Sequence, residues 1–140
     1  MTACGIIKPG TGGVNEAAPS GFLEIARANI SAQNGKTISG NVVIYFKENG
    51  ATDLYVARLE AFDVDTSSFG RLRFRVTAGG QPELDAALKG SSGNQNYSVS
   101  ISANRPVWNS AAIVDPTVSP PVGGLIYGTA SLTSSTSYPP

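Results

Sequence analysis

The sequence predicts a mainly β fold: an antiparallel β-sandwich or small barrel of jelly-roll type, with one short helix and extended N- and C-terminal arms. Three observations support this prediction. Short apolar segments repeat with the two-residue period of strands, and turns rich in Gly, Asn and Ser separate them. The length of 140 residues suits one domain. The last 25 residues contain five prolines and no charged side chain, which favours an arm that lies on another surface.

The chain therefore divides into three predicted parts. Residues 1–20 are rich in Gly and form an N-terminal arm. Residues 21–115 hold nearly all the large apolar side chains and form the β-sandwich body. Residues 116–140 form an uncharged C-terminal arm rich in Pro, Ser and Thr, to which residues 125–132 could add one more strand.

The body begins with a predicted hairpin. Residues 22–30 and residues 37–47 flank Asn34-Gly35, a dipeptide that favours tight turns. In the second segment, Val42, Ile44 and Phe46 are predicted to face the core, with Val43, Tyr45 and Lys47 on the opposite face.

A third strand is predicted over residues 54–64. Leu54, Ala57 and Ala61 also fit helical spacing, but the β-branched and aromatic residues around them favour extended backbone. Two further strands are predicted over residues 97–102 and 107–114, after a polar loop over residues 90–96.

The clearest strand pattern covers residues 69–77, where three apolar residues alternate with three arginines. The apolar set predicted to face the core is Leu72, Phe74 and Val76. The basic stripe predicted on the opposite face, about 6.6 to 7 Å between neighbours, is Arg71, Arg73 and Arg75. Such a stripe suits phosphates, or carboxylates of a partner subunit. Pairing on the same sheet with Glu48, Glu60 or Asp63 is an equal alternative.

One short helix is predicted over residues 82–89. Pro82 suits a first helical position, and the acidic Glu83 and Asp85 suit the opening turn. Lys89 lies late in the segment and Gly90 just past its end, as at many helix ends.

Composition argues against an enzyme. The chain has no histidine, which excludes a Ser-His-acid triad, and its single cysteine, Cys4, cannot form an intrachain disulfide. The ten basic and ten acidic residues cancel, which argues against nucleic acid as a partner. No segment has the roughly 20 apolar residues of a membrane span. We expect no cofactor and no membrane partner.

Three other kinds of site remain open as alternatives. Asp63 and Asp65 place oxygen ligands at alternate positions, as at the start of a calcium loop, but the later positions of that loop do not match. Glu60 and Asp63 could serve a carboxylate-based hydrolase. A carbohydrate-binding or adhesin-like module of a fibre would use aromatic platforms, whose candidates are Tyr55, Tyr97, Trp108, Tyr127 and Tyr138.

The arms suggest an assembled protein. Ordering some 45 residues costs on the order of 1 kcal/mol each, which contacts with neighbouring copies would offset. An extended arm can add a strand to an adjacent sheet and satisfy its backbone hydrogen bonds there. We therefore expect a homo-oligomer.

In its charge-poor, Ser/Thr/Gly-rich and histidine-free β composition, the whole chain resembles the decoration, or cement, proteins of tailed-phage heads. That resemblance implies a non-enzymatic virion structural protein, commonly trimeric, that folds in the host cytoplasm. It would bind the major capsid protein or another virion protein. The contacting elements expected on this interpretation are the basic stripe and the two arms. Their candidate partner-binding residues are Ile6, Ile7, Arg71, Arg73, Arg75, Leu125, Ile126 and Tyr127.

Overall fold

The computed structural model describes residues 13–78, 81–102, 108–118 and 124–132. Within these ranges the chain forms ten strands and one 3-10 turn, Phe69–Arg71. The strands of the first sheet are β1 (Gly13–Asn15), β2 (Leu23–Asn29), β4 (Ile38–Asn49), β5 (Thr52–Val64) and β8 (Ser92–Ser102). Those of the second are β3 (Ser31–Ala32), β6 (Arg73–Ala78), β7 (Gln81–Ala87), β9 (Ser110–Asp115) and β10 (Leu125–Ser131).

The two five-stranded sheets pack face to face as a β-sandwich, which confirms the predicted fold class. The first sheet has the order β1-β8-β5-β4-β2, and the second the order β3-β10-β9-β6-β7. Neighbouring strands are antiparallel except for β1 and β8, which are parallel. In the described part of the chain, no helix is long and apolar enough to cross a membrane.

The core lies between the sheets and contains the residues predicted from strand alternation. All six predicted core side chains are buried: Val42, Ile44, Phe46, Leu72, Phe74 and Val76. The alternation places them on the inner faces of β4 and β6, or just before β6, because successive side chains of a strand point to opposite sides.

The predicted turn at Asn34-Gly35 is present, and both residues have left-handed backbone, with φ of 56° and 70°. Strands β2 and β4 on either side of it are paired, as predicted. The connection is longer than a simple hairpin, however. Between the two strands, β3 crosses to the second sheet and pairs with β10.

The helix predicted over residues 82–89 is wrong. Residues Gln81–Ala87 form β7, an edge strand that pairs with β6. Opposite β6, the segment satisfies its backbone hydrogen bonds in a ladder, and Asp85 lies directly opposite Arg75. Pro82 is compatible with this edge strand, where one side of the backbone needs no partner. The polar loop predicted before residue 97 is also too long, because β8 already begins at Ser92.

The long β4–β5 hairpin contains a paired irregularity. The register shifts between Ser39 and Asn41 on β4, opposite a shift between Leu59 and Phe62 on β5. Gly40 has φ of 132° and Ala61 has φ of 50° at this point. The Ala61 amide donates to Asn94 Oδ1 at 2.9 Å, so β8 fixes the bulge.

Parts of both predicted arms belong to the sheets. Strand β1, within residues 1–20, pairs with β8, and β10, within residues 116–140, pairs with β9 and β3. The strand suggested over residues 125–132 is therefore confirmed.

The two ends of the sandwich differ. We call the end with residues 33–37, 65–72 and 88–91 the proximal end, and the end with the β4–β5 turn the distal end. Gly13 lies at the proximal end, opposite Ser92. Leu132 lies at the distal end, where its amide donates to Asn109 O at 2.9 Å. The described chain therefore starts and finishes at opposite ends.

Candidate interaction surface

Two of the three arginines of the predicted basic stripe lie on β6, and the third lies before it. Arg73 and Arg75 lie on the outer face of β6, as predicted, and both pair with Asp85 of β7. The Nε atoms lie 2.6 Å from Asp85 Oδ1 and 3.2 Å from Asp85 Oδ2 respectively. Pairing across the same sheet therefore occurs, but with Asp85 and not with the three acidic residues named from the sequence. Both guanidinium groups thus share the Asp85 carboxylate.

Arg71 is not on the strand. It ends the 3-10 turn, and its Nε donates to Asp115 Oδ2 at 2.9 Å. Its Nη1 also donates to Ser67 O at 3.3 Å. Burial opposes ionisation of Asp115, but hydrogen bonds from Thr117 and Arg71 outweigh it and lower the pKa of Asp115. Arg71 therefore serves first to hold the chain together at the proximal end.

On the outer face of the second sheet, Arg73, Arg75 and Ile126 lie in cross-strand rows. Arg73 lies opposite Val114, which lies opposite Ile126. Arg75 lies opposite Ala112, which lies opposite Thr129. We call this surface, formed by the outward side chains of β6, β9 and β10, the sheet-2 face. Its β6 part carries Arg73 and Arg75, and its β9–β10 part carries small, apolar and hydroxyl side chains.

The three predicted contact residues on β10 differ in their exposure. Ile126 is 38% exposed, whereas Leu125 is half-buried against the core. Tyr127 is 5% exposed, and its hydroxyl lies 3.3 Å from Ser68 Oγ. The Tyr127 ring is thus packed in its own subunit, and its contact with a partner stays a prediction. Ile6 and Ile7 lie outside the described residues.

An open depression of about 290 Å³ lies at the proximal end. Its lining is Gly35, Lys36, Thr37, Asp65, Ser68 and Tyr127. The Lys36 ammonium lies 4.9 Å from the centre of the Tyr127 ring. The depression is shallow and polar, and its carboxylate is engaged by its own loop.

Of the two suggested calcium ligands, Asp65 is engaged by its own loop. Asp65 accepts hydrogen bonds from the Ser67 amide at 3.4 Å and the Ser68 hydroxyl at 3.2 Å, and also from the Ser67 hydroxyl. Hydrogen bonds from Ser67, above all, lower the pKa of Asp65. Asp63 lies on β5, opposite Ser39 and Ser92. Within the described ranges, no three acidic or cysteine side chains form a group suited to a metal ion.

Four of the five aromatic residues named as sugar platforms are in the core. Trp108 is 2% exposed, and its ring centre lies 4.9 Å from that of Tyr55. Tyr97 packs against Phe74 with ring centres 5.2 Å apart. Tyr55, Tyr97, Trp108 and Tyr127 are therefore unavailable for stacking on a ligand, while Tyr138 lies outside the described residues.

Glu60 lies in an ion-pair cluster on the outer face of the first sheet. Arg58 Nε lies 2.9 Å and Arg27 Nη1 3.0 Å from its carboxylate oxygens. Burial opposes ionisation of Glu60, but these two arginines outweigh it and lower its pKa. A general acid of a glycosidase needs the opposite change, a raised pKa.

A second surface was not predicted from the sequence. After β1, the chain crosses the outer face of the first sheet from the β8 edge to the β2 edge. We call residues 13–22 the crossing segment. Arg58, which is 5% exposed, donates from Nη1 to Glu16 O at 2.8 Å. Farther along, Phe22 packs on a small apolar cluster of Val43, Tyr45 and Val56.

Glu16 binds two groups of the β-sandwich body through its side chain. Its carboxylate accepts hydrogen bonds from Lys89 Nζ at 2.9 Å and from the Asn96 amide at 2.7 Å. These bonds, that from Asn96 first, lower the pKa of Glu16. The one sequence signal for this surface was Arg58, a charged residue among the apolar and aromatic side chains of β5, because a buried charge requires partners.

No family model, curated protein or solved structure matches this chain.

Proposed function

We propose that this chain is a non-enzymatic structural protein of a virion, which decorates and reinforces a phage capsid. It acts as a homo-oligomer, with a trimer favoured, and binds the major capsid protein or another virion protein. Its composition, its β-sandwich fold and the arrangement of its terminal segments support this proposal.

The observation that carries the proposal is where the terminal segments join the body. Residues 1–12 precede Gly13 at the proximal end, whereas residues 133–140 follow Leu132 at the distal end. A subunit with attachment segments at opposite ends can contact neighbours on two sides. This geometry suits a lattice-bound protein, in which each copy bridges others.

The sheet-2 face supplies a surface for such contacts. Arg73 and Arg75 keep 38% and 27% of their side chains exposed beside Asp85, so a partner's acidic side chains could also bind them, and the β9–β10 part is poor in charge. Flat sheets with small side chains can be approached closely by a partner surface. We propose that this face lies against the capsid or a neighbouring copy.

The adhesin-like alternative has less support. Four of its five aromatic candidates are buried, and sugar stacking requires an exposed ring face. The proximal depression has polar side chains for hydroxyl groups, but its one aromatic ring is already covered by Lys36.

Two measurements on the full chain test the proposal. Analytical ultracentrifugation should give the mass of an oligomer, and the protein should sediment with heads of the phage that encodes it. The double variant Arg73→Glu/Arg75→Glu should lose head binding, whereas a matched change on another surface, Lys47→Glu, should retain it. A monomer that stays in the supernatant with intact heads would refute the proposal.

A further inference from the structure

The chain contains two Asn-Gly dipeptides, Asn34-Gly35 and Asn49-Gly50, and each contributes to a turn. This dipeptide is especially prone to lose ammonia, because glycine has no side chain to shield its amide nitrogen from the neighbouring side-chain amide. The two turns hold their asparagines differently. We propose that Asn49 is a deamidation site of the folded protein and that the fold protects Asn34.

The reaction needs only water as a second reactant. The Gly50 amide nitrogen attacks Cγ of Asn49, and its proton passes through solvent to the departing amide group. The bond from Cγ to Nδ2 breaks, and ammonia leaves. Water then opens the resulting cyclic imide at one of its two carbonyl carbons. The products are aspartate and isoaspartate, in which the main chain passes through the former side chain. Both carry a carboxylate in place of the neutral amide.

The structure leaves both reacting groups at Asn49-Gly50 accessible. Asn49 is exposed, and its side-chain amide makes no hydrogen bond within the described part of the chain. Among the described residues, the Gly50 amide has no acceptor either. Asn49 and Thr52 form the last pair of the β4–β5 ladder, where local opening costs least. Small rotations at this turn therefore bring the Gly50 nitrogen to Cγ of Asn49.

Asn34 is held by the second sheet. Its Nδ2 donates to Ile126 O of β10 at 2.8 Å, and the preceding Gln33 amide donates to Tyr127 O at 2.9 Å. Cyclisation requires the side chain and the backbone of Asn34 to rotate together, which breaks the bond to Ile126 O. A Cβ on Gly35 would meet no atom within 4 Å, and the same holds at the other turn. Hydrogen bonding, and not space, therefore distinguishes the two sites.

Deamidation changes both charge and backbone at the distal end. The chain has a formal net charge of zero, so each modified copy becomes negatively charged. The new carboxylate follows Glu48, which lies opposite Asp53, and like charges so close destabilise a hairpin. Isoaspartate also adds a methylene group to the main chain, which misaligns the pair of Asn49 with Thr52. The modification therefore weakens the end of the β4–β5 hairpin.

Peptide mapping of the full chain after storage at mildly alkaline pH tests the proposal. Trypsin places the two sites in separate peptides, residues 28–36 and 48–58, and fragment ions separate Asn34 from Asn29. We expect the deamidated fraction to rise several-fold faster at Asn49 than at Asn34 in the native protein. In urea, where both turns are lost, the two rates should become similar. Equal rates in the native protein, or an unchanged difference in urea, would overturn the proposal.

Two matched variants provide a second measurement. Glutamine cyclises far more slowly than asparagine, so Asn49→Gln removes the reactive site and keeps an amide at an exposed position. Ion-exchange chromatography of the stored wild type should show a growing acidic species. Asn49→Gln should lack this species, whereas Asn34→Gln should retain it. An acidic species of equal size in stored Asn49→Gln would place the reaction elsewhere in the chain and overturn the proposal.

Discussion

Arg71 Nε lies 2.9 Å from Asp115 Oδ2, which links the turn before β6 to the end of β9. The carboxylate of Asp115 is 1% exposed, and it also accepts from the Thr117 amide at 2.9 Å. This ion pair joins two connections at the proximal end. A residue predicted to bind a partner therefore first stabilises its own subunit.

Asp115→Ala should lower the free energy of unfolding by about 2 to 3 kcal/mol, because Arg71 and the Thr117 amide lose a buried, charged acceptor. Urea unfolding followed by circular dichroism measures this loss. Asp85→Ala is the matched control, since its ion pairs with Arg73 and Arg75 are exposed and should contribute less. Equal losses in the two variants would show that burial of the Asp115 pair has no special effect.

Glu16 should make stability dependent on pH. Its pKa in the folded state is lowered, so its contribution is present above the unfolded value and disappears as the pH falls from there through the folded pKa. Wild type should therefore be more stable than Glu16→Gln at pH 7, and the difference should shrink below about pH 4.3. Lys89→Met removes one cause of the shift and should reduce the same pH dependence. A difference that stays constant from pH 7 to pH 3 would contradict this assignment.

Trp108 should report on the core, because it is the only tryptophan and is packed against Tyr55. Its fluorescence should be blue-shifted in the native protein and should move to the red on unfolding. Trp108→Ala should destabilise the fold by about 3 to 5 kcal/mol, and Trp108→Phe by less. A native emission maximum like that of free tryptophan in water would contradict the burial of this ring.

Two substitutions at the irregularity of the β4–β5 hairpin should change the stability of the fold in opposite directions. Gly40→Ala should destabilise the fold by about 1 to 3 kcal/mol, since φ of 132° suits glycine and the new Cβ would lie 2.9 Å from Phe62 Cα. Ala61→Gly should stabilise it by less than about 1 kcal/mol, because the left-handed strain at Ala61 is relieved while unfolded-state entropy rises. Thermal unfolding of both variants gives the two signs. A loss of stability in Ala61→Gly would show that this bulge is not strained.

Alternation along the chain predicted much of the sandwich. Before and within β6, apolar residues recur at every second position, and the structure buries that face; in β4 it also buries Val43 and Tyr45 on the opposite face. Gly and Asn marked the turns at residues 34–35 and 50. Such signals depend only on neighbours in sequence, so they can be read without knowing the rest of the fold.

The helix prediction was wrong because pairing with β6 decided the structure of this segment. Residues 82–90 carry the start and stop signals of a helix, yet β6 offers them a complete ladder and Asp85 meets Arg73 and Arg75 there. The acidic side chain that suggested a helix start in fact joins two arginines of the next strand. Tertiary pairing outweighs a propensity worth a few tenths of a kcal/mol per residue.

The sequence by itself therefore determined a mainly β chain and the side chains of its main strands that face the core. Only the tertiary structure decided which side chains remain outside. It buried Tyr127 and Trp108, turned Arg71 toward Asp115 and laid residues 16–22 across the first sheet. These outcomes depend on strands far apart in sequence, because burial is set by what covers a residue and the covering residues come from elsewhere in the chain.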